Sequence, residues 1–179
     1  MSQTVLFVAI LLLQTVFLLF MIIFAYTFFE GIRTVPWIRT RSHIARAMLE
    51  LAGFKAGNTV LDLGSGDGSI ILTAVELGGS GVGIERLSLL VWISNLRAKL
   101  RGCADKAMFL RATIFTVPLP DATIVTCYLF PEVNARVEPR LREAFPPGTR
   151  IVSRDFRFPT LTLIEERRQP RYTLYLYQI

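Results

Sequence analysis

Val60-Leu-Asp-Leu-Gly-Ser-Gly-Asp-Gly-Ser69 is the stretch on which the fold of this 179-residue chain turns. An apolar strand enters it and a helix leaves it, with Gly64, Gly66 and Gly68 at alternate positions between them. Glycine lets the backbone turn sharply and lets a ligand approach the main chain, while the emerging helix offers N–H groups at its positive end. A phosphate-binding loop of the Gly-x-x-x-x-Gly-Lys-Ser/Thr type is excluded, because no lysine follows until Lys99. The Gly-x-Gly-x-x-Gly dinucleotide pattern would need glycine at position 69, which is serine. Asp62 and Asp67 would also repel a pyrophosphate, so the loop suits a ligand that carries positive charge.

Working outward, strand and helix signals alternate. Strands are expected at Thr59–Leu63, Val82–Glu85, Ala107–Arg111, Ala122–Tyr128 and Arg150–Phe156, and helices at Ser69–Leu77, Leu87–Arg101 and Glu132–Phe145. Before the loop, Ser42 is a candidate N-cap for a helix with an Ile44, Met48, Leu51 stripe, closed by Gly53 at the C′ position. Pro139 should break the Glu132–Phe145 helix, at a cost of ~3 kcal/mol if it stays continuous. In the Leu87–Arg101 helix, Leu89, Ile93, Leu96 and Leu100 form the expected core stripe. Leu87, Leu90, Val91 and Trp92 add a second apolar face that needs a cover: a neighbouring helix, the bilayer, the N-terminal helix or a partner.

The chain ends on two alternating segments, Leu161–Glu165 and Tyr172–Gln178, around a Gln169-Pro170 turn, the pattern of an antiparallel hairpin. Five βα-type units and a hairpin predict an α/β, mostly parallel sheet with an antiparallel edge. Arg157–Thr160 is too short for a helix before the hairpin, which would leave one sheet face partly uncovered.

At the other end, Val5–Phe29 is a 25-residue uncharged run. As a helix it would reach ~37 Å, against a hydrocarbon core of about 30 Å. A cleaved signal peptide fits poorly, since there is no basic n-region and no small-x-small site between Phe24 and Gly31. No Lys or Arg precedes the run, whereas Arg33, Arg39, Arg41 and Arg46 follow it. The positive-inside rule then gives a single-pass membrane protein with a cytoplasmic C-terminal domain. The expected organisation is a transmembrane signal anchor at 1–29, a basic juxtamembrane connector at 30–41 with Trp37 at headgroup depth, and one catalytic domain at 42–179.

The net charge of +6 lies after the apolar run, and anionic headgroups account for it without nucleic acid, for which no basic cluster with interleaved aromatics is seen. Cys103 and Cys127 are expected as reduced, buried thiols. His43 is the only histidine. That removes His-based zinc sites and disfavours a Ser-His-Asp triad, so no metal is expected.

S-adenosylmethionine meets the demand for a cationic ligand: Asp62 can accept from its α-ammonium, and Glu85, 21 residues after Gly64, stands where an acid accepts both ribose hydroxyls. Gly64, Ser65, Gly66 and Gly68 complete the expected cradle. From Val35 to Ile179 the chain resembles class I methyltransferases, whose Rossmann-like sheet has seven strands and an antiparallel C-terminal hairpin. More narrowly it is similar to the mitochondrial lysine N-methyltransferases of ATP synthase c-subunit and adenine nucleotide translocase and to their short prokaryotic relatives. The resemblance is carried by Asp62-Leu-Gly-Ser-Gly-Asp-Gly, by Asp121-Ala-Thr-Ile-Val-Thr-Cys-Tyr-Leu-Phe-Pro with Asn134 after it, by Pro147-Gly-Thr-Arg-Ile-Val-Ser-Arg-Asp-Phe, and by Tyr172-Thr-Leu-Tyr-Leu-Tyr.

The resemblance implies methyl transfer to the ε-amino group of a lysine in a membrane-associated protein, with the bilayer held through residues 5–29. It places Thr113 and Ile114 near the adenine, Thr113 standing where the family usually has an acid. Arg154 stands where the family has histidine. Thr126 and Tyr128, at the end of the fourth strand, would orient the amine through hydroxyl or carbonyl acceptors, and Asp155 would accept from it. Two other readings remain open: a methyltransferase for a lipid-soluble small molecule, and a module that binds S-adenosylmethionine without catalysis.

Overall fold

The computed structural model describes residues 3–32 and 38–179, with the side chains of 26–32 excepted. The connector's Arg33 and Trp37 therefore lie outside the described residues. The chain divides into two compact units, Met1–Pro36 and Trp37–Ile179. The first is a single helix, α1 (Gln3–Ile32), of which Gln3–Ala25 is long and apolar enough to cross a membrane and has none of its residues buried.

In the second unit the order is α2 (Ser42–Leu51), β1 (Thr59–Leu63), α3 (Ser69–Glu76), β2 (Ser80–Glu85), α4 (Ser88–Leu100), β3 (Ala107–Arg111), β4 (Ile124–Cys127), α5 (Pro131–Ala144), β5 (Arg150–Arg154), β6 (Leu163–Gln169) and β7 (Tyr172–Gln178). The strands form one seven-stranded sheet in the order β3-β2-β1-β4-β5-β7-β6. β1 to β5 run parallel, and β7 enters antiparallel beside β5 with β6 outside it. The order reverses at β1, so the loop after β1 opens at the crevice where open α/β sheets bind ligands.

Alternate residues of the central strands feed two cores. Val60, Ile124, Val152 and Leu174 face α2, α3 and α4, where Met48, Leu49, Ile71 and Leu72 are buried. Leu61, Leu63, Val125 and Ile151 face α5, with Val137, Leu141 and Tyr177. Each such side chain contributes roughly 1.5–3 kcal/mol by leaving water. As expected, no helix separates β5 from the hairpin. Phe158 and Leu161 close the sheet there, and the bonds that pin the loop include Phe158 N–H to the Tyr177 hydroxyl (3.1 Å), Thr160 N–H to the Glu138 carboxylate (3.2 Å), and the Asn134 amide to the Phe156 carbonyl (3.3 Å). β6 stays largely exposed.

Five local expectations are corrected. Arg41 rather than Ser42 takes the N-cap position of α2, and no side chain bonds there. The β6 strand starts at Leu163 and runs to Gln169, so the turn is Pro170-Arg171, with a bulge between Leu163 and Glu165. Of the two cysteines, both free, only Cys127 is buried; Cys103 is half-buried.

α5 continues through Pro139. Both Pro139 and Ala135 lie on its exposed side, so water can satisfy the carbonyl that the proline leaves unpaired. The fifth correction concerns α4. Its buried residues are Leu90, Ser94 and Ala98, one per turn, while Leu89, Trp92, Leu96 and Leu100 face outward and Ile93 is half-buried. The middle of the inward face is a small residue, Ser94, because there α4 approaches the loop after β1. A Cβ on Gly68 would lie 3.1 Å from Ser94 Cβ and 2.5 Å from Phe109.

The rotated α4 predicts opposite outcomes for two substitutions on one helix. Ala98→Leu overpacks the core and costs about 1–3 kcal/mol, whereas Leu100→Ser changes stability by less than about 0.5 kcal/mol. Urea unfolding of the full chain in detergent distinguishes them, and the reverse ranking would restore the Leu89-Ile93-Leu96-Leu100 stripe to the core.

Candidate active site

The loop after β1 is folded back by two hydrogen bonds, from Gly64 N–H and Ser65 N–H to the Ile84 carbonyl (2.9 and 3.0 Å). Gly64, Gly66 and Gly68 have φ of 77°, 54° and 76°. That left-handed conformation costs other residues roughly 1–2 kcal/mol each, which is why glycine alternates here. Gly68 then precedes α3 as its N-cap residue.

Glu85 ties the loop to the next helix. Its Oε2 accepts from Gly66 N–H (3.0 Å) and its Oε1 from Leu87 N–H (2.8 Å), so the buried carboxylate is fixed across the gap between β1 and β2. Ala112 N–H donates to the Glu85 carbonyl (3.0 Å), which brings the Thr113–Ile114 turn to the same edge. The Thr113 hydroxyl caps that turn by accepting from Phe115 N–H (3.4 Å), and the Arg140 guanidinium bonds the Ile114 and Val117 carbonyls.

The two loop aspartates are not equivalent. Asp67 is neutralised by Arg39 (2.9 Å) and Arg97 (2.6 Å), and it accepts from the Ser69 hydroxyl (2.7 Å). Sequence reasoning counted it among acids awaiting a cationic ligand, but its charge is spent within the protein. Arg39 and Arg97 gave no signal in the sequence, since they lie 28 and 30 residues away.

Asp62 is different. It is buried on β1, its Oδ1 accepts from the Thr126 hydroxyl (2.8 Å), and no cation pairs with it among the described ion pairs. Burial pushes its carboxyl up to about 7, helped by the nearby Glu85 and Asp67 charges and opposed by the Thr126 bond. Thr126 was expected to turn its hydroxyl toward an amine. Instead it is fully buried and occupied with Asp62.

Tyr128 and Asp155 meet one strand over, through Arg154. The Arg154 guanidinium lies 4.2 Å over the Tyr128 ring, and its Nε is 3.1 Å from Asp155 Oδ2, close enough to attract but not aligned for a hydrogen bond. Asp155 is the one non-glycine residue with positive φ, 61°, among those described. Bonds from its own N–H to the Thr173 carbonyl (2.7 Å) and from Thr173 N–H to Asp155 Oδ1 (2.8 Å) hold it there. Strain of this kind gathers at functional sites. Phe156 stacks on Tyr128 and meets Phe130 edge-on, with centroids 6.0 and 5.4 Å apart, an aromatic wall the sequence reading had missed. Burial raises the Tyr128 phenol above its usual value, against the pull of Arg154.

Whether the loop fits a nucleoside with a cationic amino-acid tail can be judged from its own atoms. Among the described residues Ser65 Oγ is buried without a hydrogen-bond partner and Asp62 has no cation paired with it, while Glu85 is held with both oxygens at the crevice. These are acceptors for hydroxyls and an ammonium, and they fit. Among the described residues no cluster of His, Cys, Asp or Glu could hold a metal ion.

The sheet order and this loop define a class I S-adenosylmethionine-dependent methyltransferase. A crystal structure of an RNA methyltransferase from Salinibacter ruber in complex with S-adenosyl-L-homocysteine superposes with a TM-score of 0.77 at 36% identity, covering 79% of this chain and 94% of that one. The family model described as ANTKMT methyltransferase domain matches residues 62–165. A protein-lysine N-methyltransferase of Saccharolobus islandicus is 32% identical over 81% of this chain and 94% of its own length. The chain therefore belongs to the ANTKMT methyltransferase family, and its cofactor is S-adenosylmethionine. The adenine nucleotide translocase lysine N-methyltransferase of Mus musculus is 34% identical over 70% of this chain, but the match spans only 55% of the mouse enzyme.

The buried Asp62 carboxyl makes the ligand-free protein sensitive to pH. Folded Asp62 keeps its proton to about pH 7, while the unfolded group releases it near 3.8. Between these values the native state binds more protons, so its stability falls as pH rises from about 4 to 7 and is flat above. Asp62→Asn removes that loss. It should stabilise the ligand-free chain by on the order of 2–4 kcal/mol at pH 8 and by almost nothing at pH 3.5, read by urea unfolding.

Proposed function

We propose that this protein is a membrane-anchored methyltransferase that uses S-adenosylmethionine to methylate a lysine side chain of a membrane-associated protein. It would be organised as a single-pass anchor at 1–29, a connector at 30–41 and a catalytic domain at 42–179 on the cytoplasmic side. The observation that carries the cofactor half of this reading is the Glu85 carboxylate bound to both Gly66 and Leu87 N–H beside the unpaired Ser65 hydroxyl. The lysine half rests on the family, whose named relatives include protein-lysine N-methyltransferases. The long apolar α1 supports the anchor.

When bound, S-adenosylmethionine supplies a methyl group already activated by its sulfonium. The chain's own task is to position and to desolvate. In this reading Glu85 accepts from the ribose hydroxyls, Asp62 accepts from the α-ammonium, and Gly64, Ser65, Gly66 and Gly68 let the ligand lie against the main chain. Thr113 and Ile114 border the adenine. Thr126 acts through Asp62, by holding its carboxylate in place. Tyr128 and Asp155 receive the acceptor amine: the carboxylate and the aromatic wall favour an alkylammonium entering, and Arg154 beside them disfavours its remaining charged. The acceptor would give one proton to water at the mouth of the crevice, and its neutral nitrogen would then take the methyl group, the thioether S-adenosylhomocysteine being the leaving product. A lysine free in water holds that proton to about pH 10.4, so a neighbouring fixed positive charge assists the reaction.

Titration calorimetry with S-adenosylmethionine tests the cofactor residues. Wild type binds, and Asp62→Ala or Glu85→Ala weakens binding at least about 100-fold; retained affinity in both would refute the assignment. At pH 6 binding should release close to one proton, because the ammonium favours ionised Asp62, and Asp62→Asn should abolish that release. The acceptor is tested by mass spectrometry of membrane-protein lysines from cells with and without the intact gene. Methyl groups that disappear from a lysine support the reading, whereas radiolabel from the cofactor recovered only in the lipid extract overturns it.

A further inference from the structure

The outward face of α4 is the largest feature the methyl-transfer reading leaves unused. Leu89, Trp92, Leu96 and Leu100 are 54, 61, 40 and 78% exposed, and with half-buried Ile93 they fall on one side of the helix at i, i+3, i+4, i+7 and i+11. This stripe runs the length of a helix of about 20 Å. A soluble helix with Leu90, Ser94 and Ala98 packed inward would ordinarily carry polar residues here. Lys99 flanks the stripe on one side; on the other, Arg97 is turned to Asp67 and only partly exposed, and Arg101 pairs with Glu76. Between Arg86 and Arg111 the chain has six basic residues and one acid, Asp105. This single segment therefore carries most of the chain's net charge of +6.

We infer that the α4 face is a bilayer-docking surface, its Leu and Trp side chains entering the headgroup–acyl boundary of an anionic membrane and its basic flanks meeting the lipid phosphates. Charge selects this occupant. A second copy packed on the same face would bring two net-basic segments together, and a stripe of four exposed side chains is too small for the ~1,200–2,000 Å² that a stable specific interface buries. A bilayer supplies the opposite charge, and an apolar helix face rimmed by Lys and Arg with Trp and Leu at its centre is what lies in its interface. The inference rests on α1 being an anchor, since tethering lets weak interfacial contact suffice: the face meets lipid at high effective concentration without needing affinity of its own.

The test uses the full chain carrying Trp37→Phe, so that Trp92 is the only tryptophan, reconstituted into vesicles of phosphatidylcholine alone or mixed with phosphatidylglycerol. Flotation of the vesicles reports α1, and Trp92 emission reports α4. With brominated acyl chains in the anionic vesicles, Trp92 should shift to the blue and lose at least about half its intensity. Leu89→Ser with Leu96→Ser should abolish both effects while S-adenosylmethionine binding, measured in the same sample, is retained. A chain that floats but whose Trp92 emits as in water, unquenched in both lipids, overturns the docking proposal and leaves the anchor standing. A blue shift that follows protein density and ignores the bromine assigns the face to a second copy and equally overturns it. A chain that fails to float removes the anchor, a separate failure.

Discussion

A single buried carboxylate joins the parts of this site. Glu85 ends β2, accepts from the main chain of the glycine loop at Gly66, and accepts again from Leu87 where α4 begins. Loop, strand end and helix start are thereby fixed to one another by charge-assisted hydrogen bonds, stronger than neutral ones. The Ser94 hydroxyl adds a second tie from α4 to the Gly66 carbonyl (3.0 Å). The glycines make the turn possible, but these bonds give it one shape. The same attachment turns Ser94 toward the loop, and so determines which face of α4 is left outside.

The acids around the loop are sorted by what neutralises them. Asp67 is met by two arginines and has become part of the scaffold. Asp62 is buried beside a hydroxyl with no cation paired to it among the described residues, and its burial raises its proton affinity. Desolvation in one case and pairing in the other separate two residues that look alike on paper. Around Tyr128 and Asp155 the arrangement is inverted. Arg154 lies between an aromatic ring and a carboxylate, so the cation there is supplied by the protein itself.

Much of the fold was legible because it depends on short-range patterns. The parallel strands, the terminal hairpin, the absent helix before it and the glycine loop all follow from local periodicity and from residues with special backbone demands. The misreadings share one cause. Pro139 was tolerated because its side of α5 faces water, and Ser42 yielded the cap to Arg41, neither of which is encoded in the neighbouring residues. The aromatic wall of Tyr128, Phe130 and Phe156 joins residues 28 apart whose approach depends on strand order.

By itself, then, the sequence determined the class of sheet, the position of the glycine loop, the acids on β1 and at the end of β2 and the presence of a long apolar helix, since each is a matter of spacing along the backbone. Only the tertiary structure decided which aspartate is free, what Thr126 bonds, what Arg154 touches and which way α4 turns. Those outcomes depend on contacts between residues distant in the chain, where volume and charge at the meeting point outweigh local pattern. α4 is the sharpest case: Leu89, Ile93, Leu96 and Leu100 at helical spacing indicated a core, whereas the close approach of the helix to Gly68, beside Phe109, is made at Ser94.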